Sequence, residues 1–200
     1  MPFSRFLFST LLAFAFNLLL SGEHSNFSLT DEVRAVYQAI VRIEVVSEKG
    51  SGGRMMKARS TGSGVIISKD GLVLTNHHVA GKASRLTCRL HNGDELMADL
   101  LGADAMTDLA LLRLRLNENG SNSEPLKIAE FGNSHKVKVG DTCFAMGSPA
   151  GLSQSVTKGI ISNVALISAG SQSFRLDGEN VGELVRWLGH DAVIYPGNSG

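Results

Sequence analysis

The chain has 200 residues, of which 43% are apolar, so it is long enough and apolar enough to form one or two compact domains with a buried core. Its 19 basic residues balance its 19 acidic residues, and no segment collects basic side chains. This balance argues against nucleic acid as a partner, since that needs a basic surface, and against long-range attraction of a strongly acidic target.

The N-terminal segment predicts export from the cytoplasm. Arg5 is followed by an apolar run, Phe6–Leu20, which is shorter than the about 20 residues of a membrane span and matches the hydrophobic part of a signal peptide. Residues 1–22 are therefore predicted to be a signal peptide cleaved near Ser21-Gly22. An uncleaved membrane anchor is the alternative, and it would be the only route by which this protein associates with a membrane. Both interpretations predict a periplasmic or otherwise extracytoplasmic location.

The next segment predicts a short helix followed by strands. Val33, Val36, Tyr37 and Ile40 recur at helical spacing, and two acidic residues fall in the first turn, so Leu29–Ile40 is predicted to be a helix. A strand is expected after it, at Val41–Val46. Residues 47–63, rich in glycine, serine and charge, are predicted to form an exposed loop. Further strands are predicted at GVIIS and LVLTN around the turn DG, and at Arg85–Leu90, Glu95–Gly102 and Leu109–Leu114.

After a polar linker, the second half of the chain is also predicted to consist of short strands joined by turns. Asn117–Pro125 is the predicted linker, so residues 29–120 are expected to form one domain and residues 121–200 another. Ser168–Glu183 is expected to be a polar surface excursion before the chain returns at Leu184–Leu188. Many short strands and 22 glycines predict an all-β fold of antiparallel barrels or sandwiches. Strands are predicted in this half at Thr142–Met146, Ser155–Ser162 and Ala192–Tyr195.

The two cysteines are too few for a disulfide scaffold. Cys88 and Cys143 fall in different predicted domains and in strand-like surroundings. They are therefore predicted to be buried free thiols, with a disulfide between them as the alternative that export would permit.

The first chemical signal is the pair His77-His78 in LTNHHV, at the end of a predicted strand. A histidine held there titrates near neutrality, as a general base requires, but adjacent histidines also serve structural or surface roles. Neighbours on a strand point to opposite faces, and no cysteine or carboxylate lies at ligand spacing, so no metal site is predicted.

Asp108 and Ser199 provide the other two signals. Asp108 directly precedes the apolar run LALLRL, so its carboxylate needs a partner such as an imidazole N–H or a backbone turn. Asp104, four residues earlier, is expected to cap that turn. Ser199 lies in PGNSG, where flanking glycines let backbone N–H groups point outward and stabilise an oxyanion, although an ordinary glycine–serine turn has the same sequence.

The three signals together indicate a catalytic triad. A serine nucleophile needs a histidine to take its proton and an aspartate to orient the imidazole. The chain order His78, Asp108, Ser199 is that of the double-barrel proteases rather than of the α/β-hydrolases.

The stretches TGSGVIIS-DGLVLTNHHV, DLALLRL, VGDTCFAMGSPAGLSQSVTKGIIS and HDAVIYPGNSG resemble the HtrA/Deg family of trypsin-like serine proteases. The resemblance implies two six-stranded antiparallel barrels, the second incomplete in this chain. It assigns catalysis to His78 rather than His77, with Asp108 as the acid and Ser199 as the nucleophile. It also implies an oxyanion hole formed by the backbone N–H groups of Gly197, Asn198 and Ser199, and it places the glycines of the GSG stretch at 62–64 in framework turns.

The same resemblance places Val193 and Ile194 at the floor of the primary specificity pocket. Neither is acidic, so a bound lysine or arginine side chain would be buried without a counter-charge. Small or medium aliphatic side chains are therefore the expected substrates of the pocket, while a plain buried strand is the alternative interpretation of these two residues. His190 stands where the family more usually has threonine, and its role is open.

The function expected from the resemblance is that of an exported serine endopeptidase that acts on unfolded or damaged proteins without a cofactor. A homotrimer or higher homo-oligomer, assembled around Leu29–Ile40, is implied. Because the family continues after the nucleophile and closes the second barrel, the chain is expected to be a fragment that is inactive by itself, and any PDZ domain would lie beyond it. A non-catalytic chaperone or peptide-binding protein on a protease fold is the alternative, and a processing protease with one substrate is a third reading.

Overall fold

The structure, a computed structural model, describes residues 30–51, 53–116, 124–148, 155–166, 174–176, 179–181 and 185–200. Residues 31–200 form one compact unit. The predicted signal peptide and most of the predicted linker lie outside the described residues, so the domain boundary near residue 120 stays a prediction. Within these described ranges, no helix has the length and apolar character to cross a membrane.

The first half of the described chain consists of an N-terminal helix, a closed antiparallel barrel and a single helical turn at His77–Ala80. Helix α1 (Asp31–Ala39) confirms the predicted helix and leads directly into the barrel. The barrel strands are hydrogen-bonded in the order β1-β2-β3-β6-β5-β4, with β4 closing back onto β1. They are β1 (Ile40–Ser51), β2 (Arg54–Ile66), β3 (Leu72–Thr75), β4 (Arg85–Arg89), β5 (Glu95–Asp104) and β6 (Leu109–Leu114).

The barrel core follows from the two-residue period of its strands. Val41, Ile43 and Val45 alternate along β1, and all three are buried because alternate side chains of a strand face the same side. The same alternation buries Leu112 and Leu114 on β6. Full burial of such side chains stabilises the fold by about 1.5–3 kcal/mol each relative to exposure. The predicted strands of this half are confirmed, with ends that shift by a few residues.

The prediction of a loop at residues 47–63 is wrong. The pairing of β1 with β2 continues from Ser47 opposite Ala58 to Ser51 opposite Arg54, so this segment is a long hairpin. Its side chains are mostly exposed, and Met55 and Met56 are among them. A sequence without apolar alternation resembles a loop, yet the backbone ladder needs no buried side chains to satisfy its own hydrogen bonds.

The second half of the described chain is an open antiparallel sheet. It has three strands in the order β11-β8-β7: β7 (Thr142–Gly147), β8 (Ser155–Leu166) and β11 (Trp187–His190). A 3₁₀ turn, Ser134–Lys136, precedes it, and β9 (Phe174–Leu176) pairs separately with β10 (Glu179–Val181). A closed six-stranded barrel and a second, open sheet confirm the predicted all-β fold class.

The strand predicted at Ala192–Tyr195 is wrong. These residues are irregular because their carbonyls bond to a side chain and within a turn rather than to the backbone of a neighbouring strand. The carbonyl of Val193 accepts a hydrogen bond from Thr157 Oγ1 at 2.7 Å, and the carbonyl of Tyr195 accepts one from Asn198 N at 3.0 Å. After the 168–183 segment the chain returns as β11, which begins at Trp187, within the predicted return at Leu184–Leu188.

The two cysteines confirm the prediction of free thiols. Cys88 is fully buried in the barrel, and burial raises the pKa of its thiol to about 12. Cys143, on β7, is only partly buried, and its pKa is raised by partial burial and by the negative charge of Asp191.

Candidate active site

The two histidines lie directly after a barrel strand. β3 ends at Thr75, and a single helical turn, α2 (His77–Ala80), begins after Asn76. The backbone of Asn76 is still extended, so the chain changes direction at this residue. The barrel strand thereby fixes the position of α2, and with it the position of His78, whose side chain is 26% exposed.

Asp108 sits in the turn between β5 and β6 with its backbone in the left-handed region, at a φ of 55°. Aspartate is one of the few residues that adopts this conformation at small cost. The turn is capped by Asp104, whose carboxylate accepts from Met106 N at 2.9 Å and from Thr107 Oγ1 at 2.8 Å. The predicted cap is confirmed, and the hydrogen bond from Thr107 contributes most to lowering the pKa of Asp104.

The Asp108 carboxylate, which is 4% exposed, contacts His78 at two points. Oδ2 lies 2.8 Å from His78 Nδ1, and Oδ1 accepts from the backbone N–H of His78 at 2.9 Å. The carbonyl of Asp108 also accepts from His77 N at 3.0 Å and from Asn76 Nδ2 at 2.9 Å. Because an ionised carboxylate only accepts hydrogen bonds, Nδ1 carries the proton that faces Asp108, and in the neutral imidazole the lone pair is then on Nε2. This arrangement makes the imidazole of His78 available as a base at Nε2.

The segment Tyr195–Gly200, which we call the Ser199 turn, follows the irregular residues after β11. Gly197 has a φ of 101°, a backbone conformation that glycine adopts without strain. The N–H of Asn198 is engaged with the Tyr195 carbonyl. Among the described residues, nothing accepts a hydrogen bond from the N–H of Gly197 or Ser199. Two of the three predicted oxyanion donors are therefore free to bind a ligand oxygen.

Residues 62 and 63 of β2 bring the Ser199 turn close to α2. Ser63 N donates to the carbonyl of Ser199 at 2.6 Å. A Cβ atom at Gly62 would lie 2.5 Å from Val79 Cγ1 and 3.1 Å from the Ser199 carbonyl oxygen, so α2 and the Ser199 turn meet over this glycine. Within the described part of the chain, no hydrogen bond joins the Ser199 hydroxyl to the His78 imidazole. The structure thus brings His78 and Asp108 into contact and brings the backbone of Ser199 close to Val79 of α2 over Gly62.

The predicted specificity residues lie just before the Ser199 turn and are exposed. Val193 is 51% and Ile194 is 58% exposed, so they do not form a buried strand. His190 ends β11 opposite Ile161, and its Nδ1 is buried without a hydrogen-bond partner in the described residues. None of the described contacts joins His190 to His78 or Asp108. The described ranges also hold no group of three histidine, cysteine or acidic side chains that could bind a metal ion.

Ser63 is a residue of this site that sequence reasoning misses. Its hydroxyl donates to the carbonyl of Gly197 at 2.7 Å and accepts from the N–H of Ser148 at 2.8 Å. The available signal is its place between two glycines in the GSG stretch, which indicates a close backbone approach but not which segment approaches.

The chain is similar in sequence to known peptidases. Residues 62–200 match the family model of the trypsin-like peptidase domain. The chain is 41% identical over 151 residues to a probable periplasmic serine endoprotease, DegP-like, of Pseudomonas fulva (strain 12-X), covering 76% of this chain and 28% of the relative. It is 43% identical over 149 residues to a protein of the same description from Pseudomonas putida (strain GB-1), covering 74% and 28%. The chain thus spans little more than a quarter of the length of these curated relatives.

The chain is also similar to solved structures of HtrA-type proteases. The HtrA-type protease AlgW with tripeptide superposes with a TM-score of 0.68 at 31% identity, covering 86% of this chain and 49% of that one. The HtrA-type protease AlgW with decapeptide gives a TM-score of 0.66 at 30% identity, covering 86% and 54%.

Proposed function

The chain belongs to the HtrA group of the trypsin-like peptidases, and from this premise we propose that the protein is a serine endopeptidase that cleaves unfolded or damaged proteins. One observation carries the proposal: the buried Asp108 carboxylate contacts both the backbone N–H and Nδ1 of His78. This contact leaves Nε2 as the ring nitrogen that can act as a base, and the helical turn that carries His78 meets the Ser199 turn over Gly62.

The proposed mechanism uses His78, Asp108 and Ser199 as a triad. His78 Nε2 takes the proton of the Ser199 hydroxyl as Oγ forms a bond to the substrate carbonyl carbon. Asp108 stays ionised and stabilises the imidazolium that results. The protonated His78 then donates to the leaving amine as the C–N bond breaks, which gives an acyl-enzyme, and a water molecule activated by His78 hydrolyses the ester.

The developing oxyanion is proposed to bind the N–H groups of Gly197 and Ser199. The N–H of Asn198 is engaged with Tyr195, so the Asn198 backbone shapes the turn rather than donating to the substrate. Donors that are fixed in advance stabilise the charge of the tetrahedral intermediate, and losing one typically costs about 10²–10³-fold in kcat.

Substrate preference is proposed to follow from Val193 and Ile194. Both side chains are apolar, and a lysine or arginine of the substrate would lose water without gaining a counter-charge beside them. Cleavage after small or medium aliphatic residues is therefore expected.

Residues 1–200 alone are proposed to be inactive, because the sheet next to the Ser199 turn is open. Ile160, Leu166 and Leu188 on its strands are 45%, 48% and 41% exposed. An apolar sheet face left in water does not hold a turn and pocket in fixed geometry. Activity is expected of a longer protein whose additional chain covers this face.

Location and assembly are proposed from the family. The relatives above are named periplasmic, and the chain carries a predicted signal peptide, which together support an extracytoplasmic location. A homotrimer or higher homo-oligomer that forms through the region of α1 is proposed. Sedimentation of the full-length protein would show three or more times the monomer mass, and a monomer would refute this part.

The experiment that tests the function is digestion of unfolded casein by the full-length protein and by its Ser199→Ala variant. We expect fragments from the first and none above background from the second. Equal digestion by both would refute Ser199 as the nucleophile. A protein that suppresses aggregation of an unfolded client without cleaving it, in both forms alike, would instead be the chaperone or peptide-binding protein.

A further inference from the structure

We propose that Ser63 is a positioning residue that fixes the Ser199 turn against the barrel, so that Ser199 lies in reach of His78. This inference rests on the proposed function, since it assigns a role in the same reaction. Ser63 contacts neither His78 nor a substrate, and it acts through the backbone of residues 197–199.

Ser63 is 1% exposed, and its polar groups are all hydrogen-bonded. Its N–H donates to the carbonyl of Ser199, and its hydroxyl donates to the carbonyl of Gly197. The hydroxyl also accepts from Ser148 N, while the Ser63 carbonyl accepts from Thr75 Oγ1 at 2.7 Å. Three of these four bonds join β2 of the barrel to the second half of the chain.

These bonds fix the two peptide units on either side of Asn198-Ser199. The Gly197 carbonyl belongs to the peptide unit that carries the Asn198 N–H, and the Ser199 carbonyl belongs to the unit that follows Ser199. Because each peptide unit is planar, holding both carbonyls restricts the rotation of the backbone between them. That backbone carries the Ser199 side chain and the Ser199 N–H, which are the proposed nucleophile and one proposed oxyanion donor.

The need for this contact follows from the division of the site between two regions. His78 and Asp108 are held by β3 and by the turn before β6, both in the barrel. Ser199 belongs to the segment that follows β11 in the open sheet. β2 pairs with β3 at Val65 and Ile66, and at Ser63 the Ser199 carbonyl accepts the strand N–H instead. The Ser199 turn thus takes the place beside β2 that β3 leaves when it turns into α2.

Without the Ser63 hydroxyl, the Gly197 carbonyl loses this donor and the Ser148 N–H loses this acceptor. A turn that then shifts by even about 1 Å costs on the order of 10²-fold in rate when the reacting atoms must be aligned. A positioning role lowers kcat more than it raises KM, because substrate contacts are not removed. A merely structural role would instead lower the stability of the fold and leave the kcat of the folded protein unchanged.

The test compares Ser63→Ala with Ser68→Ala in the full-length protein. Ser68 is the matched control, since its Oγ accepts the N–H of Leu72 at 2.9 Å in the same hairpin and does not contact the Ser199 turn. On a chromogenic peptide with an aliphatic residue before the scissile bond, Ser63→Ala is expected to lower kcat by about 10–100-fold, with KM within about twofold of wild type. Ser68→Ala is expected to stay within about twofold in both. Equal losses in the two variants, or a Ser63→Ala kcat within about threefold of wild type, would overturn the proposal.

Two additions keep the test decisive. If Ser63→Ala does not fold, Ser63→Cys keeps most of the side-chain volume with a weaker donor, and about a 10-fold loss of kcat is expected.

Amide hydrogen exchange tests the contact without any need for enzymatic activity. Exchange at the Ser148 N–H is expected to be at least about 10-fold faster in Ser63→Ala than in wild type and unchanged in Ser68→Ala. Unchanged exchange at Ser148 would overturn the role of Ser63 by itself. A wild-type protein without turnover, or a Ser199→Ala variant with full turnover, would refute the proposed function while the exchange result still decides the contact.

Discussion

The closed barrel and the open sheet contribute differently to the site. In the barrel, Val41, Ile43 and Leu112 are fully buried, and every strand has two neighbours. In the sheet, Ile160, Leu166 and Leu188 remain about half exposed, and β7 and β11 are edge strands. The His78–Asp108 pair therefore lies where packing already fixes the geometry. The Ser199 turn lies where it does not, and it depends on bonds that reach across from Ser63.

The largest effect is expected from changing the carboxylate that the barrel holds. Asp108→Asn replaces an acceptor by an amide that also donates, so His78 Nδ1 no longer has to carry the proton and Nε2 loses its role as a base. We expect kcat to fall by about 10⁴-fold while the fold is kept.

The control for that variant is Asp99→Asn on β5, where an exposed carboxylate pairs with Arg115 at 2.7 Å. Its effect on kcat is expected to stay within about twofold, since exposed ion pairs contribute little to stability. Steady-state kinetics of the full-length protein measures both. An Asp108→Asn enzyme with near wild-type kcat would show that the barrel pair is not the acid–base unit.

The next effect concerns stability and compares the two regions directly. Leu112→Ala opens a cavity in the barrel and is expected to lower the free energy of unfolding by about 2–5 kcal/mol. Ile160→Ala removes a side chain that is 45% exposed on the sheet and is expected to cost less than about 0.5 kcal/mol in residues 1–200. Urea unfolding followed by circular dichroism measures both, and equal losses would contradict the contrast between the regions.

At neutral pH the smallest effect on stability is expected from the thiol of Cys88, because this effect develops only as the pH rises above 9. The pKa of Cys88 is raised from 9.0 to about 12, so the folded state keeps the proton after the unfolded state has lost it. The contribution of Cys88 to stability is thus complete below pH 9 and falls between pH 9 and 12, by about 1.4 kcal/mol for each unit of pH.

Thiol labelling and alkaline unfolding check this expectation. At pH 8 a disulfide reagent should react with partly buried Cys143 in the native protein, and with Cys88 only after unfolding. Cys88→Ala should lose less stability than wild type between pH 9 and 11. Equal labelling rates for the two native thiols would show that the barrel opens around Cys88.

Local sequence patterns predict much of the barrel and of the contact between His78 and Asp108. The alternation of Val41, Ile43 and Val45 predicts β1, and the position of Asp108 before an apolar run predicts that its carboxylate needs a partner. Such patterns do not predict the hairpin at 47–63, because its exposed side chains do not alternate between apolar and polar. They also do not predict the irregular stretch 192–195, because its carbonyls accept hydrogen bonds from Thr157 and Asn198, which lie outside the stretch.

The role of Ser63 could not be predicted from the sequence for a related reason. Its hydroxyl partners, Gly197 and Ser148, are 134 and 85 residues away in the chain. A pattern within a few residues cannot contain such a contact. The GSG stretch indicates only that some backbone must approach closely there.

Reaction of the full-length protein with a fluorophosphonate shows whether Ser199 is an activated nucleophile, since this reagent forms a covalent adduct with an activated serine hydroxyl. Mass spectrometry of the digested protein should find the adduct on Ser199 at close to one per chain. The labelling rate should fall at least about 10³-fold in His78→Ala, because the base that removes the hydroxyl proton is then missing. An adduct on another serine, or equal labelling of Ser199 in wild type and His78→Ala, would show that Ser199 is not a nucleophile activated by His78.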